Sequence, residues 1–547
     1  MSTTTTLQAA PVALQSSISP PSTKQPVLRE QQQEIPLTSS HESSDETDGS
    51  IGPRKQYSRL QQAAVTFQLS AVNLASSCTN GLIVISLPQL TADLSLPSSL
   101  AFWPSSVAGL TTASTLLIAG SLADVLGHRA IALAGMLTCG LFMISCGLVQ
   151  RGEDFVILRA LYGIGLSMHL ASSIGLVTKL LPRGRGRNVA FACLGFSQPL
   201  GFCLGLIAGG VLVDTIGWRA GWYIYGGFTL AMFVMSIFSL PKSEPLGTVK
   251  EVIRNMNAKV DWLGTLLASA FMALLCYFLA MISTDINRVK EPLSIAFLII
   301  GVLCLPLFLG WMHRQVSTGK PALIPNSFWR IASFSSICAT IALSYAVINS
   351  LELFVSLLFL TGHPSASFQE VQHLSALSSA IRMIPSFVVG IILNLITGIF
   401  VHRVPAIWIV TVSCVLTAGS PLLMAVIQPH WSYWANAFVA QLLMPVCADV
   451  IFVIGMLVVS ETFPEDKQAL AGAVFNTAAQ FGNACGLAIM QVISMVVAKG
   501  HEGMTPVDAL MQGYRASFWT MFGFMVFCAF LSGFGLRKAG KLGVKTD

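Results

Sequence analysis

The feature that most constrains this chain is a succession of about fourteen long apolar runs, separated by short polar loops. They lie near residues 64–90, 104–122, 130–150, 155–178, 188–213, 221–240, 262–283, 293–312, 333–360, 372–400, 404–427, 432–458, 468–497 and 516–536. A helix needs about 20 mostly apolar residues to cross a bilayer, and each run is of that order. Of the 547 residues, 54% are hydrophobic and only 10% are charged. Soluble domains carry about 25% charged residues. So few charges cannot cover a soluble surface, and lipid is the expected solvent. The expected fold class is therefore an all-α polytopic membrane protein with about fourteen transmembrane helices.

Residues 1–58 differ from the rest. They are rich in Ser, Thr, Pro and Gln and have no apolar stretch. Such a segment cannot bury enough surface to fold, and without a short apolar core behind a basic start it is not a signal peptide. A disordered cytoplasmic tail is expected. Lys and Arg concentrate in alternate loops, with Arg129, Lys179, Arg183, Arg185 and Arg187 among them, and again in the tail 537–547. Excess positive charge marks the cytoplasmic side, so both termini are expected there. This also accounts for the net charge of +6 without a nucleic-acid partner. The 12 cysteines sit almost wholly in apolar runs with no CxxC or Cys/His spacing, so neither disulfides, zinc nor any cofactor is expected.

A weak internal repeat runs through the chain. The Ser76–Asn80 stretch has a counterpart about 272 residues later, at Ile348–Glu352. The stretch before Pro182 likewise resembles the one before Pro464. Two six-helix halves around an axis along the membrane normal would give this spacing. The expected division is 59–241, a linker 242–330 holding two extra helices, and 331–536. On the first run Asn73, Ser77 and Asn80 share one helical face, as do Tyr345, Asn349, Glu352 and Ser356 on the ninth and Asn476, Gln480 and Asn483 on the thirteenth. The uncharged face of the thirteenth run suits either a cavity for neutral or amphipathic solutes or interhelical hydrogen bonding, and Asn73, Ser77, Asn80, Tyr345 and Asn349 are the further candidates for a solute cavity.

Four motifs add detail. The second run ends in Gly120-Ser121-Leu122-Ala123-Asp124-Val125-Leu126-Gly127-His128-Arg129. It resembles the loop signature G-x-L-A-D-x-x-G-R-[KR] of the major facilitator superfamily, with Val125 where a basic residue is usual. The resemblance implies a gating role for Gly120, Asp124, Gly127 and Arg129. Physically, the Gly allows close helix approach and the carboxylate caps a helix or pairs with Arg. Gly201, Gly205, Gly209 and Gly210 on the fifth run are similar to the antiporter signature G-x-x-x-G-P-x-x-G-G, with Leu206 in place of Pro. They also fit a plain small-residue packing face. Gly217-Trp218-Arg219 follows, as in drug-exporting branches. Arg159-Ala160-Leu161-Tyr162-Gly163-Ile164-Gly165 is similar to the family's R-x-x-Q-G-x-G, with Tyr162 for Gln. Arg159 either faces protein or snorkels to the outer interface. Asp261-Trp262-x-Gly264 resembles the start of the extra helix pair in fourteen-helix drug:proton antiporters. The whole pattern looks like the fungal group with aminotriazole- and boron-resistance transporters and exporters of secondary metabolites.

That resemblance implies a monomeric secondary transporter, not an enzyme, exporting a small organic compound in exchange for protons. The plasma membrane is the expected location, with the vacuolar membrane as the alternative. The family often has an acidic residue on the first helix where this chain has Thr79. Any proton site is then sought among the ionisable residues deep in the runs, namely Glu352, Asp449, Arg159, Arg382 and His169. Asp449 could instead be fixed in a static pair with Arg382. An uncoupled facilitator or importer is the rival reading. A P-loop is excluded because Pro321 follows Gly319-Lys320, and H-E-x-x-H because His501-Glu502 has no second His.

Overall fold

A computed structural model describes residues 58–540 except 98–99, 101–102, 182–184, 242–249, 252–253, 255, 257, 259, 284, 361–375, 402, 429–430, 502–504 and 539. The expected disorder of 1–58, except at Ser58, and the basic residues beyond 540 lie outside the described residues, as does Arg183. Regular structure among the described residues is helical throughout. The major helices are α1 (Arg59–Asp93), α2 (Trp103–Leu126), α3 (His128–Leu148), α4 (Gly152–Leu180), α5 (Arg185–Thr215), α6 (Arg219–Ser239), α7 (Trp262–Ile282) and α8 (Pro292–Ser317). They continue with α9 (Ala332–Leu360), α10 (Ala376–Phe400), α11 (Ala406–Ala425), a divided α12, α13 (Glu465–Lys499) and α14 (Pro506–Gly535). Among the described residues thirteen helices are long and apolar enough to cross a membrane, and α10 adds an apolar stretch at Ala380–Asn394. The expectation of about fourteen crossings in an all-α chain holds.

The packing repeats itself with a shift of eight helices. Helix α1 lies along α5 as α9 lies along α13, and α3 packs on α6 as α11 packs on α14. The two sets then meet crosswise, with α5 against α10 and α13 against α2. Ser356 Oγ donates to the Val84 carbonyl 272 residues earlier at 3.1 Å. The repeat offset thus brings matching positions of α9 and α1 into contact, as at a pseudo-twofold axis. Helices α7 and α8 pair with each other, and α7 packs on both α2 and α13. Cys276 of α7 and Cys485 of α13 bring their sulfurs to 3.1 Å as free thiols.

Glycine explains how α1 and α5 come so close. Gly201 faces the backbone of Leu74, Gly205 that of Cys78 and Gly209 that of Leu82, a ladder one turn apart on two parallel helices. Gly81 answers from α1 against the backbone of Phe202 and Leu206. A methyl group at Gly201 or Gly205 would overlap the facing backbone. Gly482 and Gly486 meet Ala342 and Ala346 in the same way between α13 and α9. In lipid, where apolar surface gains nothing by leaving the tails, such close packing is a main source of helix association.

Two polar devices fix the remaining elements. Asp261 is buried and caps α7, accepting from the Gly264 amide at 2.9 Å. The same carboxylate accepts from Trp311 Nε1 of α8 at 2.8 Å and from the Leu323 amide at 3.3 Å. One residue thereby ties both extra helices to the segment leading into α9. Helix α12 is split into α12a (Ala437–Leu443) and α12b (Val446–Thr462), a break that the apolar run over 432–458 did not reveal. Pro445 has no N–H to offer the preceding turn. Thr417 of α11 bridges the gap, donating to the Leu443 carbonyl at 3.2 Å and accepting from the Cys447 amide at 2.8 Å. Broken helices persist in membranes only where neighbours satisfy the freed groups in this manner.

Candidate functional site

A cavity of about 110 Å³ opens where α1, α2, α4 and α5 meet α9 and α13. Seven of the eight residues assigned to a solute cavity line it, namely Asn73, Ser77, Asn80, Tyr345, Asn349, Gln480 and Asn483, together with Arg159. Asn476 does not; its amide donates back to the Gly472 carbonyl one turn earlier. Ser76, Thr112, Gln198 and Phe202 also line the wall and were not singled out from the sequence. Gln198 carried a usable signal, being a polar side chain one residue before Pro199 on an apolar helix.

The lining residues divide by what their polar atoms already do. Asn73 donates to the Leu194 carbonyl at 3.0 Å and to Ser197 Oγ at 2.9 Å, and Ser77 donates to the Gln198 carbonyl at 2.7 Å. These bonds hold α1 to α5 beside Pro199, so both donors serve packing. Asn349, Gln480 and Tyr345 make no side-chain hydrogen bond among the described residues, and Asn483 Oδ1 is buried without a partner. They form the part of the wall with polar capacity to offer a solute.

Arg159 is 1% exposed and does not snorkel. Its Nε donates to the Pro104 carbonyl at 3.3 Å and its Nη2 to Asn80 Oδ1 at 3.4 Å. The guanidinium lies 5.2 Å from the Tyr162 ring centroid and 5.3 Å from that of Trp222. Tyr162 and Thr79, two positions that depart from the family pattern, meet side chain to side chain at 3.5 Å.

The two deep carboxylates lie outside the cavity wall. Glu352 is buried and makes no hydrogen bond or ion pair among the described residues. It sits one turn beyond Asn349, within electrostatic reach of Asp449, although it does not line the cavity. Asp449 occupies the first turn of α12b and accepts from Asn394 Nδ2 at 2.9 Å. The alternative pairing with Arg382 is not what forms, because Arg382 is turned toward Tyr433, 5.3 Å from its ring centroid. Burial pushes the Tyr433 hydroxyl up to about 12, so it remains a donor to the Arg382 carbonyl. His169 is fully buried beside the Leu69 backbone, and it lies outside the cavity wall.

The loop motif after α2 departs from its expected logic at two points. No atom lies within 4 Å of where a Cβ at Gly120 would stand, so that glycine permits no close approach here. Asp124 is exposed and faces His128 Nε2 at 3.6 Å rather than Arg129. Arg129 donates instead to the Ile237 carbonyl at the end of α6, at 2.6 Å. Gly127 does need to be glycine, with φ of 91°. Gly217-Trp218-Arg219 forms a clasp at the other ends of the helices. Gly217 has φ of 92°, Trp218 Nε1 donates to Asp93 at 2.9 Å, and Arg219 pairs with Asp93 at 3.6 Å.

The model of the Major Facilitator Superfamily matches residues 69–366 and 262–487. "MFS-type transporter 1" of Pyricularia oryzae is 35% identical, over 90% of this chain and 86% of its own length. The "Low affinity ammonium transporter" of Saccharomyces cerevisiae is 24% identical over 80% of this chain and 79% of that one. "Efflux pump terJ" of Aspergillus terreus is 21% identical over 88% of each. Among solved structures, a bacterial homolog of the human lysosomal transporter Spinster aligns with a TM-score of 0.56 at 15% identity, covering 88% of this chain and 98% of that one.

Proposed function

Because the chain belongs to the major facilitator superfamily and is a multi-pass membrane transporter of small molecules, we propose that it exports a small organic compound in exchange for protons. The observation that carries this reading is the cavity lined from both sequence halves, with unengaged amides on α9 and α13. Two carboxylates, Glu352 of α9 and Asp449 of α12b, lie outside the cavity wall and make no ion pair among the described residues. An ionised carboxylate inside a membrane is expensive, and a proton relieves that cost. Glu352 adjoins the solute-lining turn of Asn349, so its protonation can be linked to occupancy.

The efflux direction draws on the fifth-helix motif and on the relative named as an efflux pump. A cation such as ammonium, carried by another relative, is disfavoured here by Arg159 in the wall. The charge alternation supports cytoplasmic termini, and the repeat supports the division at 59–241, 242–330 and 331–536; the reading places the protein in the plasma membrane, with the vacuolar membrane as the alternative. The protein acts as a monomer in this reading. The decisive experiment uses inverted membrane vesicles with an imposed proton gradient and a panel of xenobiotics and fungal metabolites. Uptake that collapses with a protonophore is expected. Uptake indifferent to the gradient would replace the antiporter with an uncoupled facilitator.

A further inference from the structure

Arg159 is the only charged side chain in the cavity wall among the described residues, and everything around it is neutral. Asn80 and the Pro104 carbonyl take two of its donors, and the rings of Tyr162 and Trp222 flank its guanidinium. Nη1 is buried without a hydrogen-bond partner. No carboxylate pairs with Arg159 among the described residues. The neighbouring side chains Thr79 and Tyr162 satisfy each other instead. A desolvated guanidinium with neither a counter-ion nor a full set of acceptors is costly to keep. Aromatic faces offset only part of that cost. The missing negative charge is therefore expected from outside the chain, at the cavity that Arg159 lines.

The geometry points to a solute bearing a carboxylate, with Arg159 as its counter-ion and the amides of Asn349, Gln480 and Asn483 bonding the rest of the molecule. A planar guanidinium matches a carboxylate better than any other cation in the side-chain repertoire. The apolar part of the solute meets Phe202 and Leu353. This assignment rests on the reading of the cavity as the solute site and adds its charge selectivity.

The test uses the purified full-length chain, with benzoate and benzamide as probes of nearly equal size that differ by one charge. Thermal unfolding is followed as each probe is titrated. Benzoate is expected to stabilise saturably, with a Kd at least about tenfold below that of benzamide. Asn80→Asp places a carboxylate where Oδ1 now stands, 3.4 Å from Nη2. It should weaken benzoate about tenfold or more while leaving the unliganded melting temperature unchanged or raised. Arg159→Gln should erase the preference; if it does not fold, Asn80→Asp decides. Equal binding of the two probes would overturn the carboxylate while leaving a solute site in place. No benzoate binding, or unchanged benzoate binding in Asn80→Asp, would overturn the assignment as well. None of these outcomes depends on whether transport is driven by protons, which the vesicle experiment decides separately.

Discussion

At the scale of single residues, the cavity separates side chains that hold helices from side chains that can serve a solute. Glu352 has no partner, whereas Asp449 is held by Asn394. Glu352→Gln should therefore abolish export driven by a pH gradient yet retain substrate binding or exchange. Asp449→Asn should leave gradient-driven export within about tenfold of wild type, a difference near 1.4 kcal/mol. Vesicle transport with and without the gradient distinguishes them, and the opposite ranking would transfer the coupling role to Asp449. Asp124 is exposed and only loosely paired with His128, so Asp124→Asn should fold and insert normally. A fall in transport of about tenfold or more at normal expression is expected if the carboxylate makes its important contacts in another conformation. Wild-type transport would remove it from the gating machinery.

At the scale of elements, the two expected glycine motifs have opposite structural weight. Gly205→Ala should destabilise the protein by about 1–3 kcal/mol, because its methyl meets the Cys78 backbone on a helix that cannot yield. Gly120→Ala meets open space and should be neutral or slightly stabilising through helix propensity. Melting temperatures of the two variants in detergent check the contrast. The helices themselves were legible because length and hydropathy are local properties. The polar faces of α1, α9 and most of that of α13 were legible because helical spacing puts i, i+4 and i+7 together. The partner of Asp449, the lack of a counter-ion for Arg159 and the open space at Gly120 were not, because each depends on residues brought in from other helices. Asn394 lies 55 positions from Asp449, and nothing in either run announces the bond. The break at Pro445 was hidden because a proline inside an apolar run reads equally as a kink in one helix.

At the scale of the whole molecule, the two helix sets related by the repeat meet through α1 with α9, α5 with α10, and α2 with α13. The proposed orientation predicts that a single cysteine placed in the segment Arg183–Arg187 is protected from a membrane-impermeant maleimide in intact cells. Strong labelling would turn the protein over. Helix α7 touches α2 and α13 at once, so it spans the seam that must slide if the sets rock against each other. Cys276 and Cys485 happen to mark that seam with two thiols in contact. The pair is a built-in chemical clock for the motion. A mild oxidant should join the thiols quickly in the conformation described here and slowly in any state that parts α7 from α13, so the joining rate under turnover reads out how long the transporter dwells in each.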